Sequence, residues 1–120
     1  MPFIFSKVNI AVNKEQELKI KSQLGKAIEL VPGKSEAYLL TEIEDNCKMY
    51  LRGDGDTPIA FIDVSIFGNE AHYGYEAFTA KIAEIFFDTL HIPRENVYVN
   101  YRDITAWGVG GAYFDRSAYR

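Results

Sequence analysis

The segment IAFIDVSIF, residues 59–67, indicates the fold, because it is a strongly apolar run of strand-forming residues near the middle of the chain. Asn69 follows as a candidate N-cap for a helix running from about Ala71 to Leu90. Pro93 ends that helix, and Val97–Tyr101 alternates as the next strand. The helix would bury one stripe: Tyr75, Phe78, Ile82, Ile85, Phe86 and Thr89.

The first half of the chain has the same order of elements. Phe3–Asn9 alternates as a strand, and Asn13 with Gln16 resembles a capping box. The pattern predicts a helix from Glu15 to Val31, ended by a Pro-Gly pair, and then a strand over Tyr38–Ile43. The helix would bury a second stripe: Ile20, Leu24, Ala27, Ile28 and Val31.

The two halves are related by a repeat of about 60 residues. Like residues recur at this spacing: Ser6 and Ser65, Pro32 and Pro93, Tyr38 and Tyr98. We therefore predict an α/β (α+β) fold of duplicated β-α-β units, forming a four-stranded mixed sheet with two helices on one face. Residues 1–120 would form a single domain with halves at about 1–57 and 58–120. The other sheet face would be uncovered, so oligomerisation is expected.

Composition excludes several classes of protein. The net charge of −4 offers nucleic acid no broad basic face, and no apolar run is long enough to cross a membrane. The N-terminus lacks the features of a signal peptide, so a cytoplasmic protein is expected. The single cysteine excludes an internal disulfide. No metal-spaced cluster or phosphate-binding loop is present, so we expect neither a metal nor a cofactor.

Three other features are interpreted as structural. The segment Arg52–Pro58 contains an Arg-Gly-Asp tripeptide, but its composition is typical of a turn. His72 and His91 flank the second predicted helix and are expected at the surface. Cys47 has no histidine nearby in the sequence and is expected to be structural.

The candidate catalytic group is the nitrogen of Pro2. A small second residue favours removal of Met1, which would free a secondary amine held rigidly at the start of a strand. An ordinary α-amino group has a pKa of about 7.7–8.0. Apolar walls and a nearby lysine would both lower that pKa, which gives a general base near neutrality.

The chain resembles the macrophage migration inhibitory factor and D-dopachrome tautomerase family over nearly its whole length. Short motifs in a specific order carry the resemblance: Pro2, Gly33-Lys34, Tyr38, Ser65-Ile66, Arg94, Val97 to Tyr101 and Trp107 to Phe114. The resemblance implies a homotrimer with active sites between subunits. It also implies keto–enol isomerisation of small carboxylates such as phenylpyruvate or dopachrome-like compounds.

The resemblance also implies roles for individual residues. Pro2 would be the base, Lys34 would bind the substrate carboxylate, and the Ser65-Ile66 pair would supply a backbone hydrogen bond at Ile66. The remaining positions would be Tyr98 and Asn100, which enter from a neighbouring subunit, and Phe114, which forms a wall.

Two departures from the family pattern affect what is expected. Phe67 stands where the family usually has glycine and is expected to narrow the mouth of the pocket. Ile59 and Ile62 stand in place of a Cys-x-x-Cys pair, so thiol oxidoreductase activity is expected to be absent. Two alternatives stay open: a signalling or binding protein without catalysis, and a related muconate-type isomerase. Release from the cell without a signal peptide also stays open.

Overall fold

The computed structural model describes residues 1–116 and consists of one mixed sheet, two helices and a terminal hairpin. The elements in chain order are β1 (Pro2–Val8), α1 (Lys14–Ala27), β2 (Leu40–Glu44), β3 (Ala60–Phe67), α2 (Tyr75–Leu90), β4 (Val97–Ile104), β5 (Ala106–Val109) and β6 (Ala112–Asp115).

The main sheet has four strands in the order β2-β1-β3-β4. The central pair, β1 and β3, is antiparallel, and each member has a parallel neighbour on its outer side. Each parallel pair is joined through one helix, because a crossover is needed to return the chain in the same direction. The predicted mixed sheet built from two β-α-β units is therefore confirmed. The last two strands form a separate antiparallel hairpin, β5–β6.

The apolar core lies between the sheet and the two helices. Alternate residues of β1 and β3 point into it, including Ile4, Val8, Ile62 and Val64, all fully buried. Both helical stripes predicted from the spacing are buried in this core. Ser6 also points inward, and its hydroxyl finds no hydrogen-bond partner among the described residues.

The first helix begins where the capping pattern predicts. The Asn13 side chain accepts a hydrogen bond from the Gln16 amide at 2.8 Å, and the Gln16 side chain accepts one from the Asn13 amide at 3.0 Å. These two bonds satisfy amides that a helix N-terminus leaves without partners.

The predicted start of the second helix is wrong by several residues. Asn69 does not cap it; its side chain instead bonds both the amide and the carbonyl of Tyr73 and closes a turn. The N-cap is Gly74, whose φ is +82°. A Cβ built there would lie 2.1 Å from the Leu30 carbonyl oxygen, so only glycine fits this close approach.

Two strand boundaries also differ from the prediction. Tyr38 is in a short 3₁₀ turn, Glu36–Tyr38, and the strand begins at Leu40. β4 continues three residues beyond Tyr101, because it pairs in parallel with β3 up to Phe67. The final residues, 117–120, lie outside the described part of the chain.

The second face of the sheet carries no helix within residues 1–116, as predicted. Alternating residues of the four strands form this open face in three rows. The rows are Leu40-Phe3-Ser65-Arg102, Glu42-Phe5-Asp63-Asn100 and Glu44-Lys7-Phe61-Tyr98.

Candidate active site

The N-terminal strand holds Pro2 in place at the end of β1. Pro2 is buried and lies opposite Ile66 in the antiparallel pair. The Phe67 amide donates to the Met1 carbonyl at 3.2 Å, so the pairing extends to the first residue. The terminus is therefore fixed against β3 rather than free in solvent.

Lys34 reaches the same place from the loop after α1. Its Nζ donates to the Phe67 carbonyl oxygen at 2.8 Å. Gly68 follows with φ of +91°, a backbone conformation that favours glycine, and a Cβ at that position would be in ordinary contact with the Lys34 Nζ at 3.4 Å. A long-range backbone contact thus holds the lysine beside the chain terminus.

The electrostatic consequence is visible at the terminal amine. Burial, the charge of Lys34 and a hydrogen bond from Lys34 together lower the pKa of the Met1 amino group from its usual 8.0 to about 6, and burial is the largest of these causes. Each effect favours the neutral amine. An amine at this end of β1 is thus a base near neutral pH.

A cavity of about 330 Å³ lies next to this amine. Met1, Tyr38, Val109 and Phe114 line it, so three of its four lining residues come from distant parts of the chain. The ring of Phe114 packs against the ring of Phe67, and the two ring centroids are 6.4 Å apart. Phe67 is not among the four residues that line this cavity, and the expected narrowing of the mouth by Phe67 stays a prediction.

Four of the seven predicted site residues converge here: Pro2, Lys34, Ile66 and Phe114. The Ser65 side chain, however, points to the open face with Phe3. In the antiparallel β1–β3 ladder, every second residue pair is joined by backbone hydrogen bonds. Met1–Phe67 and Asn9–Ile59 are such pairs, since the Phe67 amide donates to Met1 and the Asn9 amide donates to Ile59. Pro2 and Ile66 therefore form a non-hydrogen-bonded pair, and the Ile66 backbone groups turn toward β4. The carbonyl used near the terminus is that of Phe67.

Tyr98 and Asn100 lie away from the Pro2 of their own chain. They are on the open face, paired with Phe61 and Asp63. Ile66 is five and three residues further along β3, which corresponds to about 16 and 10 Å at about 3.3 Å per residue. Tyr98 is 51% exposed. The Asn100 side chain donates to Asp63 at 2.8 Å.

Sequence reasoning did not identify Tyr38 or Val109 as lining residues, nor the Phe67 carbonyl as the lysine's acceptor. Tyr38 and Val109 belong to two separate motifs that carry the family resemblance, but the sequence does not show which distant residues meet. A second cluster was also missed: His72 bonds Asp103 at 2.7 Å and stacks on Tyr75, which in turn stacks on Tyr101. This cluster attaches strand β4 to the turn that precedes α2.

Other candidate features of the sequence have structural explanations. The Arg52 guanidinium donates to the Asn96 side chain at 3.0 Å, and the Asp54 carboxylate accepts from Thr57, so the charged groups of the Arg-Gly-Asp tripeptide bond within the chain. A larger, polar depression of about 580 Å³ lies in this loop region, apart from every predicted site residue. In the part of the chain described, no group of His, Cys, Asp and Glu side chains could hold a metal ion.

The chain matches the family described as macrophage migration inhibitory factor (MIF) over residues 1–113. It belongs to the MIF family. Solved structures with the same fold include MIF2 of Leishmania major, at 24% identity and a TM-score of 0.87, covering 95% of this chain and 97% of that one. A comparison with curated proteins gave no match.

Two further solved structures also have the fold of this MIF-family protein. The MIF of Toxoplasma gondii is 19% identical with a TM-score of 0.84, covering 93% of this chain and 99% of that one. Pt0534 inactivated by 2-oxo-3-pentynoate is 15% identical with a TM-score of 0.82, covering 98% of each chain. At these identities the likeness shows the fold alone. No helix within residues 1–116 is both long and apolar enough to cross a membrane.

Proposed function

We propose that this protein is a keto–enol tautomerase whose general base is the amine of Pro2, freed by removal of Met1. The observation that carries the proposal is the pair of nitrogens at the end of β1. The Met1 amine, one residue before the Pro2 nitrogen, is partly buried, has a pKa of about 6, and lies beside the Lys34 ammonium and a largely apolar cavity. Burial and Lys34 would lower the pKa of a freed Pro2 amine in the same direction. A base whose pKa is near neutral can transfer a proton within a small substrate, and a fixed cation beside it can bind the carboxylate of that substrate.

The substrates that fit best are 2-oxo acids of the phenylpyruvate type and dopachrome-like carboxylates. Lys34 would bind the carboxylate by a charge-assisted hydrogen bond. Tyr38, Val109 and Phe114 would contact an apolar or aromatic substituent. The inactivation of Pt0534 by 2-oxo-3-pentynoate supports this class, because that compound carries a ketone next to its carboxylate.

The proton transfer conserves atoms without a cofactor. In the ketonisation direction, the neutral Pro2 amine takes the proton of the enol hydroxyl. The resulting ammonium then protonates the adjacent carbon, and the free amine is restored. Lys34 holds the carboxylate while the proton moves, so the reacting atoms stay near the nitrogen.

We also propose a single-domain protomer that assembles as a homotrimer with active sites between subunits. Tyr98 and Asn100 lie too far along the sheet to reach the Pro2 of their own chain. Their place on the open face suits a contribution to the site of a neighbour. The Ser65 side chain lies on the same face and would also face a neighbour.

The decisive experiment compares two forms of one sequence. Protein produced normally and protein produced with methionine aminopeptidase inhibited are first distinguished by intact mass. Ketonisation of enol-phenylpyruvate is then followed in both. The form without Met1 should be faster by about 10²–10⁴-fold, the usual contribution of a general base, because Met1 converts the Pro2 nitrogen into an amide. Equal rates for the two verified forms would contradict the mechanism.

A binding or signalling protein without catalysis is the second candidate. One observation favours it: with Met1 attached, this residue lines the cavity and its carbonyl is bonded to Phe67. If natural protein retains Met1 and shows no ketonisation above background, this second candidate is the correct one.

A further inference from the structure

Phe67 makes three contacts that meet at the candidate site. Its amide donates to the Met1 carbonyl at 3.2 Å, its carbonyl accepts from the Lys34 Nζ at 2.8 Å, and its ring packs against Phe114 at 6.4 Å. The residue is only 9% exposed, so these contacts are shielded from water. The bond to Met1 is lost when Met1 is removed, whereas the contacts with Lys34 and Phe114 do not involve Met1. The Lys34 cation and the apolar wall thus share one neighbour.

The ring contact matters because it joins the β5–β6 hairpin to the main sheet. Most residues of the hairpin are exposed, and Phe114 is one of its few partly buried side chains. The Arg116 amide donates to the Thr105 carbonyl, which extends the pairing of the hairpin by one residue, and Arg116 forms a 3.4 Å ion pair with Glu70. The ring of Phe67 therefore provides an apolar contact between the hairpin and the main sheet.

We infer that Phe67 is a positioning residue that determines substrate specificity: its ring holds Phe114 in the wall of the cavity, while its carbonyl holds Lys34 at the chain terminus. This inference rests on the proposed tautomerase function. Its two halves are separable, because any residue supplies the carbonyl but only a large side chain supports Phe114. Removing the ring should therefore weaken the apolar wall and leave the lysine and the amine in place.

The kinetic test uses Phe67→Ala with phenylpyruvate. KM should rise about twofold to tenfold, the ratio expected for loss of an aromatic pair, with kcat within about twofold of wild type. The midpoint of the pH–activity profile should stay unchanged, because the Lys34 contact is to the backbone. Phe67→Tyr keeps a ring and should restore the wild-type KM. Phe87→Ala is the matched control, since Phe87 packs against Arg94 on the far side of α2.

The fluorescence test does not depend on turnover. Trp107 is the single tryptophan of the chain and lies directly opposite Phe114 in the hairpin. Without support from Phe67, Trp107 should show red-shifted emission and faster acrylamide quenching in Phe67→Ala, but not in Phe67→Tyr or Phe87→Ala.

An unchanged Trp107 signal in Phe67→Ala would overturn the inference, and so would a changed signal with an unchanged KM. A fall in kcat with a shifted pH midpoint would also overturn it, because the carbonyl contact to Lys34 would then depend on the ring. If wild-type protein failed to turn over phenylpyruvate at all, the proposed function would fall. The fluorescence comparison would still decide whether Phe67 holds the hairpin.

Discussion

At the scale of single residues, the proposed chemistry depends on the closeness of the Lys34 ammonium to the amine at the start of β1. A terminal amine in water is mostly protonated at neutral pH, whereas the Met1 amine at this terminus has a pKa of about 6. Burial is the largest cause and Lys34 is the second. In the proposed mechanism one cation, Lys34, would serve two purposes: it would keep the base neutral and it would attract the substrate carboxylate.

Replacing Lys34 with alanine should affect both purposes in the processed protein. The kcat/KM for phenylpyruvate should fall roughly tenfold to a hundredfold, the loss expected for one charge-assisted hydrogen bond. The midpoint of the rise of activity with pH should move upward, because the charge that lowers the amine's pKa is gone while burial remains. Steady-state kinetics over a range of pH measure both effects.

Lys14→Ala is the matched control for that experiment. Lys14 lies on the surface, where its side chain is 77% exposed and pairs only with Glu17. Exposed pairs of this kind contribute little to stability. If Lys34→Ala behaved like this control, Lys34 would have no part in the site.

At the scale of elements, sequence patterns predicted the interiors of helices and strands better than their ends. Both buried helical stripes follow from spacing alone, and the start of α1 follows from two side-chain bonds between residues three apart. The start of α2 could not be found in this way. Asn69 has the chemistry of a cap, but the turn it closes and the contact of Gly74 with Leu30 are tertiary features.

In the candidate site, too, local motifs could be identified from the sequence, whereas contacts between distant segments could not. Pro2, Lys34 and Phe114 could be identified because short motifs carry them in a recognisable order. The contacts of Tyr38, Val109 and the Phe67 carbonyl join segments more than thirty residues apart. Nothing in local periodicity specifies such contacts, so they became visible only in the fold.

Gly74→Ala tests the tertiary origin of the α2 boundary. The substitution places a Cβ against the Leu30 carbonyl and also adopts a positive φ. We expect a loss of about 2–5 kcal/mol in unfolding free energy, combining about 1–2 for the left-handed backbone with about 1–3 for overpacking. Urea denaturation followed by circular dichroism gives the value.

Gly53→Ala separates the two contributions. Gly53 has φ of +77°, yet nothing lies within 4 Å of a Cβ there. Gly53→Ala should therefore lose only about 1–2 kcal/mol of unfolding free energy, the contribution of the left-handed backbone. Equal losses for the two variants would show that the approach of Gly74 to Leu30 does not limit this position.

At the scale of the whole molecule, the proposed trimer makes each active site a property of two chains. Lys34 and Phe114 lie near the Pro2 of their own chain, whereas Tyr98 and Asn100 are on the open face. Light scattering should therefore give a mass three times the 13.6 kDa of the chain. A stable monomer at assay concentrations would contradict the shared site.

Mixed trimers give a sharper test of which chain supplies each residue. Lys34→Ala and Tyr98→Ala proteins, each weakly active alone, are unfolded together, refolded and assayed. If Tyr98 serves the neighbour's Pro2, random mixing should restore about a quarter of wild-type activity, because about a quarter of the interfaces combine two intact residues. Mixing the same proteins without unfolding is the control. Activity that stays at the average of the two parents would place both residues in one chain's site.

The order β2-β1-β3-β4 leaves an outer strand on each side of the main sheet. Within residues 1–116, β2 and β4 each pair along one side only, so rows of amide and carbonyl groups face outward at both rims. Such rims are templates for adding another strand, and β2 also exposes Leu40. If the proposed trimer forms, a chain separated from it would therefore be prone to aggregation as well as inactive. Dilution or mild denaturant that releases single chains should lead to precipitation in competition with reassembly, and the loss should grow with the concentration of the released chains.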